Sequence, residues 1–130
     1  MADVLHLASR ILHRAGCDSP RLDAELLLAH ALGRERTWLL AHPQHRLTAA
    51  ERERFAALLA RRQAREPLAY ILGRREFYGL DLVVDRRVLV PRPETELLVE
   101  QTLEWARSLP PAEPLALADV GTGSGCVAVA

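Results

Sequence analysis

Three glycines at every second position, in the run LALADVGTGSGCVAVA at residues 115–130, limit what this chain can fold into more than any other feature. The apolar run that ends in Asp119 and Val120 has the composition of a strand, and small apolar residues resume behind the glycines. The reading is a strand, a tight turn and the opening of a helix. Gly121, Gly123 and Gly125 leave the turn without side chains, so its backbone N–H groups can approach a ligand closely. The start of the helix adds a positive end, which suits a carboxylate or a phosphate.

Spacing decides between ligands. A phosphate-binding P-loop carries a lysine directly after its last glycine, whereas Cys126 stands there and the sequence contains no lysine at all. The dinucleotide fingerprint G-x-G-x-x-G requires a glycine where Cys126 stands, and the acid it expects about 20 residues later would lie past Ala130. What remains is an acid, one residue and G-x-G-x-G, supplied by Asp119 and the three glycines.

Ahead of the loop, periodicity divides the chain. Apolar residues at helical spacing over residues 4–15, with Gly16 as the stop, predict a first helix. Ser19 and Pro20 suit the N-cap and first turn of a second, which ends at Gly33. A short third helix over residues 34–42 stops at Pro43, and Thr48 with Glu51 forms the capping box of a long fourth helix running to residue 65. A last short helix follows Pro67 and ends at Gly73. One face of the fourth helix is apolar. The other carries Arg52, Arg54, Arg61 and Arg65 among Glu51, Glu53 and Glu66, and reads as an ordinary solvated face rather than a docking surface. Residues 1–73 thus make an N-terminal all-α bundle with short connections.

From Arg74 the period changes to two. Residues 75–78 and 80–84 read as strands about Gly79, and residues 88–90 as a third short strand, so 74–92 is a hairpin connector. Pro93 begins a helix with Glu94 and Glu96 in its first turn, and residues 110–114 form a rigid proline loop.

The 130 residues, 49% of them apolar, can bury one modest core. All 17 basic residues are arginine, read as a bias of composition, and 17 acids balance them, so net charge gives no ground for nucleic acid or a membrane surface. Eleven arginines meet eight acids in residues 1–73 and six meet nine thereafter, a mildly basic bundle followed by an acidic segment. Cys17 and Cys126 lack ligand spacing and fit a reducing cytoplasm. No signal-peptide pattern or apolar run of about 20 residues is present. His42 and His45 are spaced like a metal pair, but Pro43 breaks the helix that would align them, and no metal site is expected. Cys126 reads as a small buried residue rather than a nucleophile.

Four stretches in succession carry a resemblance: EPLAYILG at residues 66–73, EFYG at 76–79, VLVPRPETE at 88–96 and DVGTGSG at 119–125. Together they closely resemble the HemK/PrmC family, the peptide chain release factor N5-glutamine methyltransferases, over nearly the whole chain. PRPETE is the most specific of them. The resemblance implies a helical substrate-recognition bundle at residues 1–73, a β-hairpin connector at 74–92 and, at 93–130, the start of an α/β Rossmann-like methyltransferase domain dependent on S-adenosyl-L-methionine (SAM). It implies that Gly121, Thr122, Gly123, Ser124 and Gly125 contact SAM, with Asp119 supporting the loop, and that Arg92, Pro93, Glu94 and Thr95 lie beside the cofactor and the substrate glutamine. The implied reaction is methylation of the glutamine side-chain amide in the Gly-Gly-Gln motif of bacterial class I release factors. The implied enzyme is a cytoplasmic monomer with no direct contact to nucleic acid or membrane.

The family's Asn-Pro-Pro-Tyr motif, which grips the glutamine amide, does not occur in these 130 residues, nor does the acid that binds the SAM ribose. No catalytic residue is assigned within the chain, and the 130 residues alone are expected to transfer no methyl group. Two other readings stay open: the sister enzymes that methylate glutamine in a ribosomal protein, and a non-catalytic module that binds a translation factor.

Overall fold

The computed structural model describes residues 1–110 and 115–130, so the expected proline loop lies, apart from Pro110, outside the described residues. The chain divides into two units, Met1–Leu72 and Gly73–Ala130.

The first unit is five helices: α1 (Ala2–Arg14), α2 (Pro20–Leu32), α3 (Arg36–Ala41), α4 (Ala49–Gln63) and α5 (Leu68–Leu72). At the start of α4 the Glu51 N–H donates to Thr48 Oγ1 at 3.2 Å and the Thr48 N–H donates to Glu51 Oε2 at 2.7 Å. These reciprocal bonds satisfy two helix-end donors, and the Thr48 N–H is the main reason the Glu51 carboxyl lies below its usual range. Ser19 occupies the N-cap of α2 without a side-chain bond, so the fixed φ of Pro20 begins that helix.

Helix α2 is the centre of the unit and packs against α1, α3, α4 and α5. Leu27 and Leu28 are fully enclosed there, in one cluster with Leu12 of α1 and Phe55 of α4. The same helix buries two acids. Asp23, 5% exposed, accepts from Arg62 Nε at 2.8 Å, and Glu25, 3% exposed, accepts from Arg21 Nε at 3.0 Å and Arg36 Nε at 2.8 Å. A carboxylate enclosed there without a counter-charge would cost several kcal/mol.

Arg52, Arg54, Arg61 and Arg65 are all exposed, as the sequence reading has it, and three of the four also reach fixed partners. Arg54 Nε donates to the Ala31 carbonyl at 3.0 Å, near the end of α2, and Arg65 donates to the carbonyls of Ala15 and Gly16 just past α1. Arg61 forks onto both Glu66 oxygens at 2.8 Å. Helix ends leave carbonyls without partners and partly negative, and long cationic side chains reach them. Helical periodicity shows which face such residues occupy but not that the neighbouring helices end within their reach.

The second unit opens with an antiparallel hairpin, β1 (Arg74–Phe77) and β2 (Leu80–Val83), with Phe77 opposite Leu80. Its two-residue turn, Tyr78 and Gly79, has φ of 51° and 76°, the doubly left-handed turn that matches strand twist. Tyr78 is a bulky residue for that position. Its N–H donates to Glu96 Oε1 at 3.1 Å, and it packs against the small core of Phe77, Val99 and Cys126, which hold the turn. A 3-10 turn, Pro93–Thr95, leads into α6 (Glu96–Ser108), and α7 (Cys126–Val129) follows the glycine loop.

Two expected strands do not form. Residues 88–90 follow a turn in which the Val88 N–H donates back to the Asp85 carbonyl at 3.2 Å. Residues 115–119 are neither strand nor helix, and Val120 is 95% exposed. A buried parallel strand takes its ladder bonds from neighbours on both edges, and among the described residues the β1–β2 hairpin is the only sheet.

Replacing Arg62 by Met leaves the Asp23 carboxylate buried alone and is expected to lower stability by about 3 kcal/mol, read by urea denaturation. The double variant Asp23→Leu with Arg62→Met is expected to recover most of that loss. An equal loss in both would show that the pair contributes nothing specific.

Candidate cofactor-binding site

The loop at residues 119–125 is built on backbone conformation. Gly121, Gly123 and Gly125 have φ of 80°, 55° and 77°, all left-handed. A Cβ added at Gly121 meets nothing within 4 Å, and at Gly123 and Gly125 it meets single atoms at 3.8 and 4.0 Å. Conformation rather than crowding therefore selects glycine, at a cost of about 1–2 kcal/mol for any other residue. The Gly125 N–H donates to the Thr122 carbonyl at 2.8 Å and the Gly125 carbonyl accepts from the Val129 N–H at 3.1 Å, which joins the turn to α7. Asp119, Gly121, Thr122 and Gly123 are exposed, and Ser124 and Gly125 are half-buried. Cys126 anchors the loop from behind, 7% exposed against Phe77 and Val99, with its thiol in the core as expected of a packing residue.

The stretch from Arg92 to Thr95 is held at both ends. Pro91 is buried, Arg92, Pro93 and Glu94 are exposed, and Thr95 is half-buried with its N–H donating to the Arg92 carbonyl at 3.0 Å. Ahead of it, Arg87 Nη2 donates to Asp85 Oδ2 at 2.5 Å and the Arg87 N–H donates to Asp85 Oδ1 at 2.9 Å. The Arg87 guanidinium first, then its backbone N–H, hold the Asp85 carboxyl down at about 2. Behind it, Glu96 opens α6 and spends its carboxylate on the Tyr78 N–H. Val99 on α6 and Cys126 on α7 belong to one core, so both candidate stretches rest on the same small cluster. Among the described residues no hydrogen bond joins 92–95 to 119–125.

The remaining residues singled out in the sequence have packing roles. His42 stacks on Trp38 with ring centres 4.3 Å apart, and its Nδ1 lies 2.9 Å from the Trp38 carbonyl oxygen. His45 meets the same indole edge-on and lies 3.6 Å from Glu51. Sequence reasoning passed over two features. Arg75 Nε, in the hairpin, is enclosed with no partner among the described residues. The Arg21–Glu25–Arg36 cluster was half visible, since Arg21 and Glu25 stand four apart on one helix, but Arg36 joins them only through the fold.

The depressed Asp85 carboxyl gives a pH expectation. Its stabilisation is complete above the unfolded value of 3.8 and is lost as pH falls toward about 2. Carboxyl NMR titration is expected to place Asp85 near 2 in this chain and higher, though still below 3.8, in Arg87→Ala, which keeps the backbone N–H. Equal midpoints in the two proteins would show that the guanidinium is not the cause.

The sequence pattern of the PrmC N-terminal domain matches residues 3–73, which are the five-helix bundle with Gly73. The release factor glutamine methyltransferase of Coxiella burnetii is 50% identical over 112 residues, covering 86% of this chain and 39% of that protein. That of Nitratidesulfovibrio vulgaris is 45% identical over 126 residues, covering 97% and 41%. That of Escherichia coli is 48% identical over 113 residues, covering 87% and 39%. The chain spans about two-fifths of the length of these curated relatives. With more than half of its residues matched to the N-terminal domain, the chain belongs to the HemK/PrmC family of release factor glutamine methyltransferases.

Proposed function

We propose that this chain is the N-terminal part of a SAM-dependent protein-glutamine methyltransferase that acts on bacterial class I release factors in the cytoplasm. In this reading residues 1–73 recognise the release factor, 74–92 connect, and 93–130 open a Rossmann-like domain. The observation that carries it is the loop of three left-handed glycines, two of them exposed, in a chain of this family. With no side chain at Gly121, Gly123 or Gly125, the loop's backbone donors can lie directly against the carboxylate of a bound amino-acid moiety. The space beside the glycines therefore fits the methionine part of SAM, which when bound supplies an electrophilic methyl group. Asp119, exposed at the entry to the loop, would orient it, and Arg92, Pro93, Glu94 and Thr95 would border the cofactor and the substrate glutamine.

An amide nitrogen is a weak nucleophile because its lone pair is delocalised into the carbonyl. Transfer to it depends on orientation for in-line attack, a positioning effect worth several kcal/mol. The acceptors that would hold the amide are those of Asn-Pro-Pro-Tyr, which these 130 residues do not contain. The chain would then provide docking and one wall of the cofactor site rather than the transfer itself.

With tritiated SAM and a purified release factor, a protein that joins this chain to the Asn-Pro-Pro-Tyr region of a relative is expected to label the glutamine of Gly-Gly-Gln, and the 130-residue chain alone to label nothing. Gly123→Val in the joined protein is expected to weaken SAM binding about tenfold, through loop strain of about 1–2 kcal/mol. Label on a ribosomal protein but not on the release factor would shift the reading to the sister enzymes. Label from the chain alone would overturn the division of labour.

A further inference from the structure

The bundle carries a concave surface far in sequence from the glycine loop. A cleft of about 370 Å3 opens between α1, the start of α2 and α3, with Leu5, Leu39 and Leu40 in its wall and Arg21 and Glu25 at its side. A second cleft of about 260 Å3 adjoins it, sharing His6 and Ser9 and adding Arg10, His13 and Arg14. Helical spacing explains the continuity, because positions 6, 9, 10 and 13 fall on one face of α1.

Glu25 organises the charge. Its carboxylate, 3% exposed, takes one Nε from Arg21 and one from Arg36. Each arginine meets it through Nε, and the Arg21 side chain stays 83% exposed, so its Nη donors face outward. One buried acid thus fixes two guanidinium groups and leaves the cluster positive. Arg10 and Arg14 are exposed, and among the described residues Glu25, already matched twice, is the only acid lining either cleft.

We propose that this double cleft docks an acidic segment of the release factor, anchored by an apolar side chain on the leucine wall. The proposal rests on the reading that the bundle recognises a release factor. Guanidinium forks held at Arg21, and without a partner among the described residues at Arg10 and Arg14, match carboxylates geometrically as well as in charge. Leu40, 60% exposed at the rim, gives the anchor a surface to cover. An RNA strand fits the same surface poorly, since no Phe, Tyr or Trp lines either cleft to stack a base.

The test is calorimetric titration of the 130-residue chain with a purified bacterial class I release factor. Arg10→Glu with Arg14→Glu is expected to weaken binding about tenfold, and Arg21→Gln about threefold. Raising salt from about 50 to 200 mM is expected to weaken the unaltered chain more than the double variant. Arg52→Glu on α4, which lines neither cleft, serves as the control and is expected to bind unchanged. Unaltered melting curves would show that the variants fold, as exposed positions should. If the unaltered chain binds no release factor, the docking reading itself falls and takes this proposal with it. Binding that persists undiminished in the double variant overturns the cleft alone. Displacement of the release factor by polyuridylate assigns the surface to nucleic acid and overturns the acidic-segment proposal.

Discussion

Helix α2 encloses Asp23 and Glu25 beside Leu27 and Leu28, and the helices around it lie where an arginine can reach each acid. Leucine packing tolerates small rotations of one helix on another, because many arrangements bury nearly the same area. A buried carboxylate does not, since losing its partner costs several kcal/mol. Arg62 reaches Asp23 across 39 residues of sequence and Arg36 reaches Glu25 across 11, so the two acids fix the settings of α4 and α3 against α2. The apolar cluster supplies the drive to collapse, and the ion pairs tie α3 and α4 to α2 within it.

The second unit works with less. Its core is Phe77, Val99 and Cys126, and much of its shape is set by turns rather than by burial. Each turn has a side-chain or backbone lock: Glu96 on the Tyr78 N–H, Asp85 on Arg87, and the Gly125 N–H on the Thr122 carbonyl. Residues 119–123 are exposed, and the loop is tied to that core from behind by Cys126 and, less deeply, Val127.

Local chemistry was legible in the sequence wherever it is decided locally. The Thr48–Glu51 capping box, the helix stop at Gly33, the glycine turn of the hairpin and the three loop glycines all stand where residue type placed them. What depends on distant partners was not. Residues 88–90 and 115–119 have strand composition, but a strand exists only beside another, and composition does not reveal whether a neighbour is present. Arg54 and Arg65 are exposed as read, but helical spacing gives only an azimuth and says nothing of the carbonyls of Ala31, Ala15 and Gly16 that they meet. The candidate site residues were legible as motifs, and the shared support of their two stretches at Cys126 and Val99 only as a structure.

Arginine in place of lysine throughout the chain looked like a bias of composition, yet several positions use what only a guanidinium has. Arg62 donates from Nε to Asp23 and from Nη1 to the Glu66 carbonyl, two partners in fixed directions from one planar group. Arg61 meets both oxygens of Glu66, and Arg87 meets both oxygens of Asp85. An ammonium is a compact, strongly hydrated point charge without that planar fork, and it meets two separated partners with poorer geometry. Arg21 shows the further consequence. Its Nε is committed inward to Glu25, and its exposed Nη groups remain for whatever approaches from outside. A single side chain can then hold the fold and offer charge at the surface, which a lysine at the same position could do only by giving up one of the two.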